Sequence, residues 1–163
     1  MQSPRAKESA VNLNLYETDF YAWTQQQANL LRYQLWNQVD LVNLIEEVES
    51  LGRRERQELR NRLIILIGHL LKWEYQSSKR SRSWLATIRI QRRDIIKLLN
   101  ENPSLQSSLE VALEEAYENA RDLASGETNL PLSTFSPQCL YLWEDLINLN
   151  FYPGDVANDN LMQ

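Results

Sequence analysis

ELRNRLIILIGHLLKWEYQSSKRSRSW, residues 58–84, is the stretch whose reading decides the fold. At about 100° per residue, Leu59, Leu63, Leu66, Leu70 and Trp73 fall on one narrow arc, the spacing of a core-facing helical stripe. Ile64, Ile67, Leu71 and Tyr75 make a second apolar face, and a helix apolar on two faces belongs inside a bundle. The apolar run from Leu63 to Leu71 is interrupted by Gly68 and His69 and flanked by Arg62 and Lys72, well short of the roughly 20 residues a membrane span needs. The expectation is a central helix of a soluble protein with no membrane association. It runs straight into a basic, serine-rich turn.

Composition agrees with that reading. A chain of 163 residues can bury a core as one domain, and with 4 glycines and 5 prolines helix breakers are scarce. The fold class expected is all-α, a single antiparallel bundle of five to six helices. The single Cys139 excludes a disulfide framework and a multi-thiolate zinc site, and the lone His69 excludes a histidine-rich metal centre. No metal and no cofactor is expected. The opening MQSPRAKESAVNLNL lacks the hydrophobic core of a secretion signal, so the location expected is cytoplasmic.

Outward from the central helix, residues 1–15 are polar and read as a disordered N-terminal arm, 16–152 as the helical-bundle domain and 153–163 as a disordered tail. Thr18 or Asp19 caps a first helix with Phe20, Trp23, Gln27, Leu30 and Gln34 in line. A second, about 38–51, turns Leu41, Leu44, Val48 and Leu51 inward, and Gly52 marks a break or kink before the central helix. Beyond the basic turn, Ser81 or Ser83 caps a helix with the stripe Trp84, Ile88, Gln91, Ile95 and Leu98. Asn102-Pro103 restarts the chain into a fifth helix that ends at Gly126 and carries an alanine row, Ala112, Ala116 and Ala120. A last short helix starts at Ser136-Pro137.

Charge is unevenly spread. Between Arg53 and Lys97 lie 13 of the 17 basic residues and only 4 acids, leaving 4 basic and 18 acidic residues in the flanks. Basic inner helices beside acidic outer ones account for this. A second possibility is a binding surface for phosphate, nucleic acid or an acidic partner at Lys79, Arg80 and Arg82, with Trp84 as a stacking platform.

Polar residues on or beside apolar stripes need partners or a purpose. Glu47, His69, Arg62 and Gln91, with Arg92 adjoining, form a candidate buried network that fixes helix register. Arg62 and His69, seven residues apart on one helix face, are the candidate catalytic pair: imidazole to move a proton, guanidinium to stabilise a phosphoryl oxyanion. Their spacing resembles the Arg-to-His pattern of the helical-bundle HEPN ribonucleases. Asp40, Glu47 and His69 would be the ligands of a carboxylate-rich metal site, but the paired Glu-x-x-His motifs of di-iron bundles are missing.

The strings DFYAWTQQQANLLR, DLVNLIEEVESLG, LIGHLLKWEYQ, RSRSWLATIRIQRRDI, NPSLQ, AYENA and ETNLP, in this order, resemble the domain-of-unknown-function family twenty-nine, abundant in cyanobacteria. The resemblance implies a compact, mainly helical, intracellular bacterial protein, with Trp23, Gln27, Glu47, His69, Lys72, Trp73, Trp84, Gln91 and Arg92 at landmark positions. It lends no catalytic role. The functional expectation is a non-enzymatic interaction module with an unidentified protein partner, or a homo-oligomer; a metal-independent ribonuclease built on Arg62 and His69 is the alternative.

Overall fold

The computed structural model describes residues 15–157 and 159–162. It is an all-α bundle, with no strand among the described residues, and its helices are α1 (Phe20–Arg32), α2 (Leu41–Tyr75), α3 (Arg82–Glu101), α4 (Leu109–Thr128), α5 (Trp143–Ile147) and α6 (Asp159–Met162). Short 3-10 turns over Trp36–Gln38, Ser77–Lys79, Pro103–Ser108 and Leu132–Thr134 join them. The chain divides into two compact units, Met1–Arg53 and Arg54–Gln163. Among the described residues no helix is long and apolar enough to cross a membrane.

Of the break or kink expected at Gly52, the break does not occur: α2 is one helix of 35 residues. A mid-helix glycine costs only about 1 kcal/mol relative to alanine, and the arginines, glutamates and leucines around it are good helix formers. Nor does α4 stop at Gly126. It ends at Thr128, with Asn129 in the left-handed region at φ 58. The short helix α5 likewise starts at Trp143, not at Ser136.

The second unit is built on a three-helix frame. Arg62 meets Asp94 and Lys72 lies over Trp84, so α2 and α3 run antiparallel. Arg60 meets Glu115 and Lys72 meets Glu127, so α2 and α4 run parallel. Leu59, Leu63, Leu66, Ile67, Leu70 and Trp73 are wholly buried there. Gly68 sets the spacing of α2 and α4, because a Cβ on it would stand 2.7 Å from Leu123 Cδ2 and 3.5 Å from the Ala120 carbonyl oxygen. The small side chains of Ala116, Ala120 and Ala124 complete that close approach.

Residues expected as a disordered tail are instead held to this unit, in the part that is described. Pro153 is buried, and Ala157, Leu161 and Met162 pack against the core. Polarity alone suggested disorder; arginines from α3 and the turn before it supply the hydrogen bonds that hold the segment. Of the arm expected over 1–15, residues 1–14 lie outside the described residues, and residue 15 opens a helical turn.

The first unit consists of α1, the turn after it and the start of α2. Asp19 caps α1, its side chain accepting from the Ala22 amide at 2.9 Å. The far end closes in a Schellman motif: Gln34 has φ 58, its amide bonds the Leu31 carbonyl, and the Leu35 amide bonds the Leu30 carbonyl at 2.9 Å. Only Trp23 and Gln27 are buried among the described residues of this unit.

Candidate interaction surface

The candidate catalytic pair is not assembled. Arg62 donates to Glu58 at 2.7 Å, to Asp94 at 2.6 Å and to Gln91 at 3.3 Å, so two carboxylates already neutralise its guanidinium. His69 Nδ1 sits 2.8 Å from the Ile65 carbonyl oxygen of its own helix, an acceptor that requires the proton on Nδ1. Burial, then the nearby Lys72 ammonium, holds the His69 imidazole below its ordinary pKa. No hydrogen bond links His69 with Arg62 among the described residues.

The expected buried network is divided in the same way. Gln91 does meet Arg62, but Glu47 accepts instead from the Tyr16 hydroxyl at 2.7 Å, within the first unit. In α3 the expected stripe residues Ile88, Ile95 and Leu98 are buried together with Leu85, Arg92 and Leu99, while Trp84 and Gln91 are half-buried. No group of three or more His, Cys, Asp and Glu that could hold a metal ion exists among the described residues.

Arg92 is fully buried and pairs with backbone, not with a carboxylate. Nε donates to the Leu146 carbonyl at 2.7 Å and Nη2 to the Phe151 carbonyl at 2.7 Å, tying the last turn of α5 and the segment after it to α3. Arg80 donates to the carbonyls of Trp73 at 2.8 Å and Asp155 at 2.6 Å, and lies over the Trp73 ring. Arg82 and Arg89 reach the carbonyls of Asn160 and Met162, both at 3.3 Å. Of the residues proposed for binding, Lys79 and Arg82 are exposed, whereas Arg80 and Trp84 are half-buried and engaged. Much of the basic density in the sequence therefore fastens the C-terminal segment. A groove of about 500 Å³ remains beside it, bordered by Arg80, Arg82, Asp155 and Leu161.

The first unit inverts the usual amphipathic pattern. Asp40 is its hub: the Trp23 indole donates to Oδ2 at 3.2 Å, Asn43 Nδ2 donates to Oδ2 at 2.8 Å, and the Asp40 amide donates to Gln27 Oε1 at 2.8 Å. Asp40, Asn43 and Glu47 thus point into the seam with the first helix and the turn before it, which also holds a ring cluster of Tyr16, Phe20 and Trp23. Leu41, Val48 and Leu51, expected inward, face outward and are about three-fifths exposed; Leu44 alone of that set is half-buried. A side chain at i, i+3 and i+7 commits a helix face whether it is polar or apolar, and here the polar set won because α1 presents an indole N–H and an amide to it.

What remains outside is an apolar stripe. With Leu41 at zero, Ile45 and Val48 lie within about 40° of it on the helix, and Val42 and Leu51 flank them. Val42 is 80% exposed, and Tyr33 at 71% and Trp36 at 65% add large rings from the turn after α1. No sequence signal weighed for chemistry pointed to these residues; the polar i, i+3, i+7 set opposite them was the available clue.

Comparison with known proteins gives one family. The sequence model of the domain of unknown function DUF29 matches residues 15–152, and the chain belongs to that family. No curated protein and no solved structure matches it.

Proposed function

We propose that this DUF29 chain is a non-enzymatic, cytoplasmic interaction module of a bacterial cell, and that its binding surface is the apolar face of Leu41, Val42, Ile45, Val48 and Leu51. One observation carries the reading: a unit that, among its described residues, buries only Trp23 and Gln27 leaves this stripe and the neighbouring Tyr33 and Trp36 open to solvent. Monomeric proteins rarely expose contiguous apolar patches beyond a few hundred Å² without using them. The catalytic alternative draws less support, since Glu58 and Asp94 occupy the cation that a phosphoryl oxyanion would need. A nucleic acid or acidic partner would have to be met by Lys79 and Arg82, because Arg80 is spent on carbonyls.

The test is site-specific photo-crosslinking in cells, with the reactive group at Val42 and, as control, at Val111, an exposed apolar position of the second unit. A discrete intermolecular adduct from position 42 that is absent from position 111 supports the reading. No adduct, an equal yield from both positions, or a purely intramolecular crosslink from position 42 overturns it.

A further inference from the structure

We infer that the occupant of this face is a second copy of the same chain, the two copies pairing their α2 stripes antiparallel about a two-fold axis, an inference that rests on the face being an interaction surface. The extent of the face fits. Aromatic side chains bury about 150–250 Å² each, so Tyr33 and Trp36 and the aliphatic stripe, at their exposures of 50–80%, together offer roughly 800 Å². A stable interface of standard size needs about 800 Å² from each partner.

The stripe is also complementary to itself. Leu41, Ile45, Val48 and Gly52 lie within about 60° of one another around the helix. In an antiparallel pair centred between Glu46 and Glu47, Leu41 of one copy stands opposite Gly52 of the other, and Ile45 stands opposite Val48. A large side chain then meets the one glycine of the stripe, where a Cβ would have nothing within 4 Å. That is a knob facing a hole, and the two-fold axis repeats it.

Charge does not oppose the pairing. Glu46 and Glu49 beside the stripe are bridged within their own chain by Arg53, at 2.6 and 3.7 Å. The acids Asp40 and Glu47 are directed into the seam, where Trp23 and Tyr16 donate to them. Two such hairpins, each bringing α1 and the start of α2, make a four-helix arrangement in which the open face of each is covered.

Sedimentation equilibrium of the full chain from about micromolar to hundred-micromolar concentration reads the outcome directly. The wild type should approach twice its 19.2 kDa mass. Ile45→Glu/Val48→Glu should sediment as monomer with unchanged helical circular dichroism, both side chains being exposed. Gly52→Leu separates packing from folding: it raises helix propensity in open space, yet it fills the hole and should raise the dimer dissociation constant at least about tenfold. A wild type that stays at 19.2 kDa throughout overturns the inference, as does a dimer indifferent to both variants. If the chain is monomeric while position 42 crosslinks to a different protein, self-association falls and the interaction reading stands; a monomer without adducts removes both.

Discussion

The two units solve the burial problem in opposite ways. In the second, leucines and isoleucines go inside, and the buried cation Arg92 donates through Nε and Nη2 to backbone carbonyls and lies over the Tyr152 ring. In the first, Asp40, Asn43, Glu47 and Gln27 take the inner seam and the aliphatic side chains face water. A unit organised like the second is finished when it folds. One organised like the first leaves apolar area in water, and that area contributes about 25 cal/mol per Å² only when it leaves water, as it would in the proposed pairing.

The sharpest way to break this contrast is one substitution made in both places along the same helix. Leu66 is fully buried and Leu51 is 58% exposed. Leu66→Ala should cost about 2–5 kcal/mol through lost transfer energy and the cavity left behind. Leu51→Ala should stay within about 0.5 kcal/mol in dilute protein, as surface substitutions do. Urea unfolding followed by circular dichroism measures both. Equal costs at low concentration would mean that the stripe is already covered within one copy.

A smaller effect compares the polar anchors. Arg92→Met removes charge-assisted hydrogen bonds to the Leu146 and Phe151 carbonyls and should cost about 2 kcal/mol. Asp40→Ala removes the acceptor of Trp23 and the cap at the start of α2, worth about 1 kcal/mol. Hydrogen exchange would locate the damage, with protection falling over residues 145–152 in the first variant and over 20–45 in the second. Loss of protection over 145–152 in the second variant would contradict the division of the chain into separate units.

The α2 core was legible because Leu59, Leu63, Leu66, Leu70 and Trp73 obey one local period, and every one of them is buried. The Ser81 cap was legible too, its hydroxyl accepting from the Trp84 amide at 3.2 Å. Three features were not. Gly52 passes through a helix because one unfavourable residue is outweighed by its many favourable neighbours. In α3, where Ile88, Ile95 and Leu98 are buried as expected, Arg92 and not Gln91 goes inside, since hydropathy prefers Gln91 and the carbonyls that make Arg92 burial tolerable come from residues more than fifty positions away. The face of the first unit was inverted because an amphipathic reading assumes that the apolar side points inward. That assumption fails where the facing helix presents the Trp23 indole N–H and the Gln27 amide, which the polar set Asp40, Asn43 and Glu47 can meet.

The smallest expected effect is a pH dependence confined to the second unit. Burial, followed by the Lys72 charge, lowers the pKa of His69 in the folded chain beneath its ordinary 6.5, while the Glu127 carboxylate and the bond to Ile65 act weakly the other way. The unfolded chain therefore takes up the proton first as pH falls. Where the unfolded state binds more protons, stability drops with decreasing pH, so the loss begins near pH 6.5 and levels off below the folded pKa. His69→Gln keeps a donor for the Ile65 carbonyl without a titrating group in this range. The variant should unfold at nearly the same urea midpoint as wild type at pH 5 and lag behind it at pH 7.5, since only the wild type recovers the favourable neutral imidazole. A wild-type midpoint that rises between pH 7.5 and pH 5, relative to the variant, would instead mean that Glu127 outweighs Lys72 and burial, and that the imidazole is held as a cation among charges.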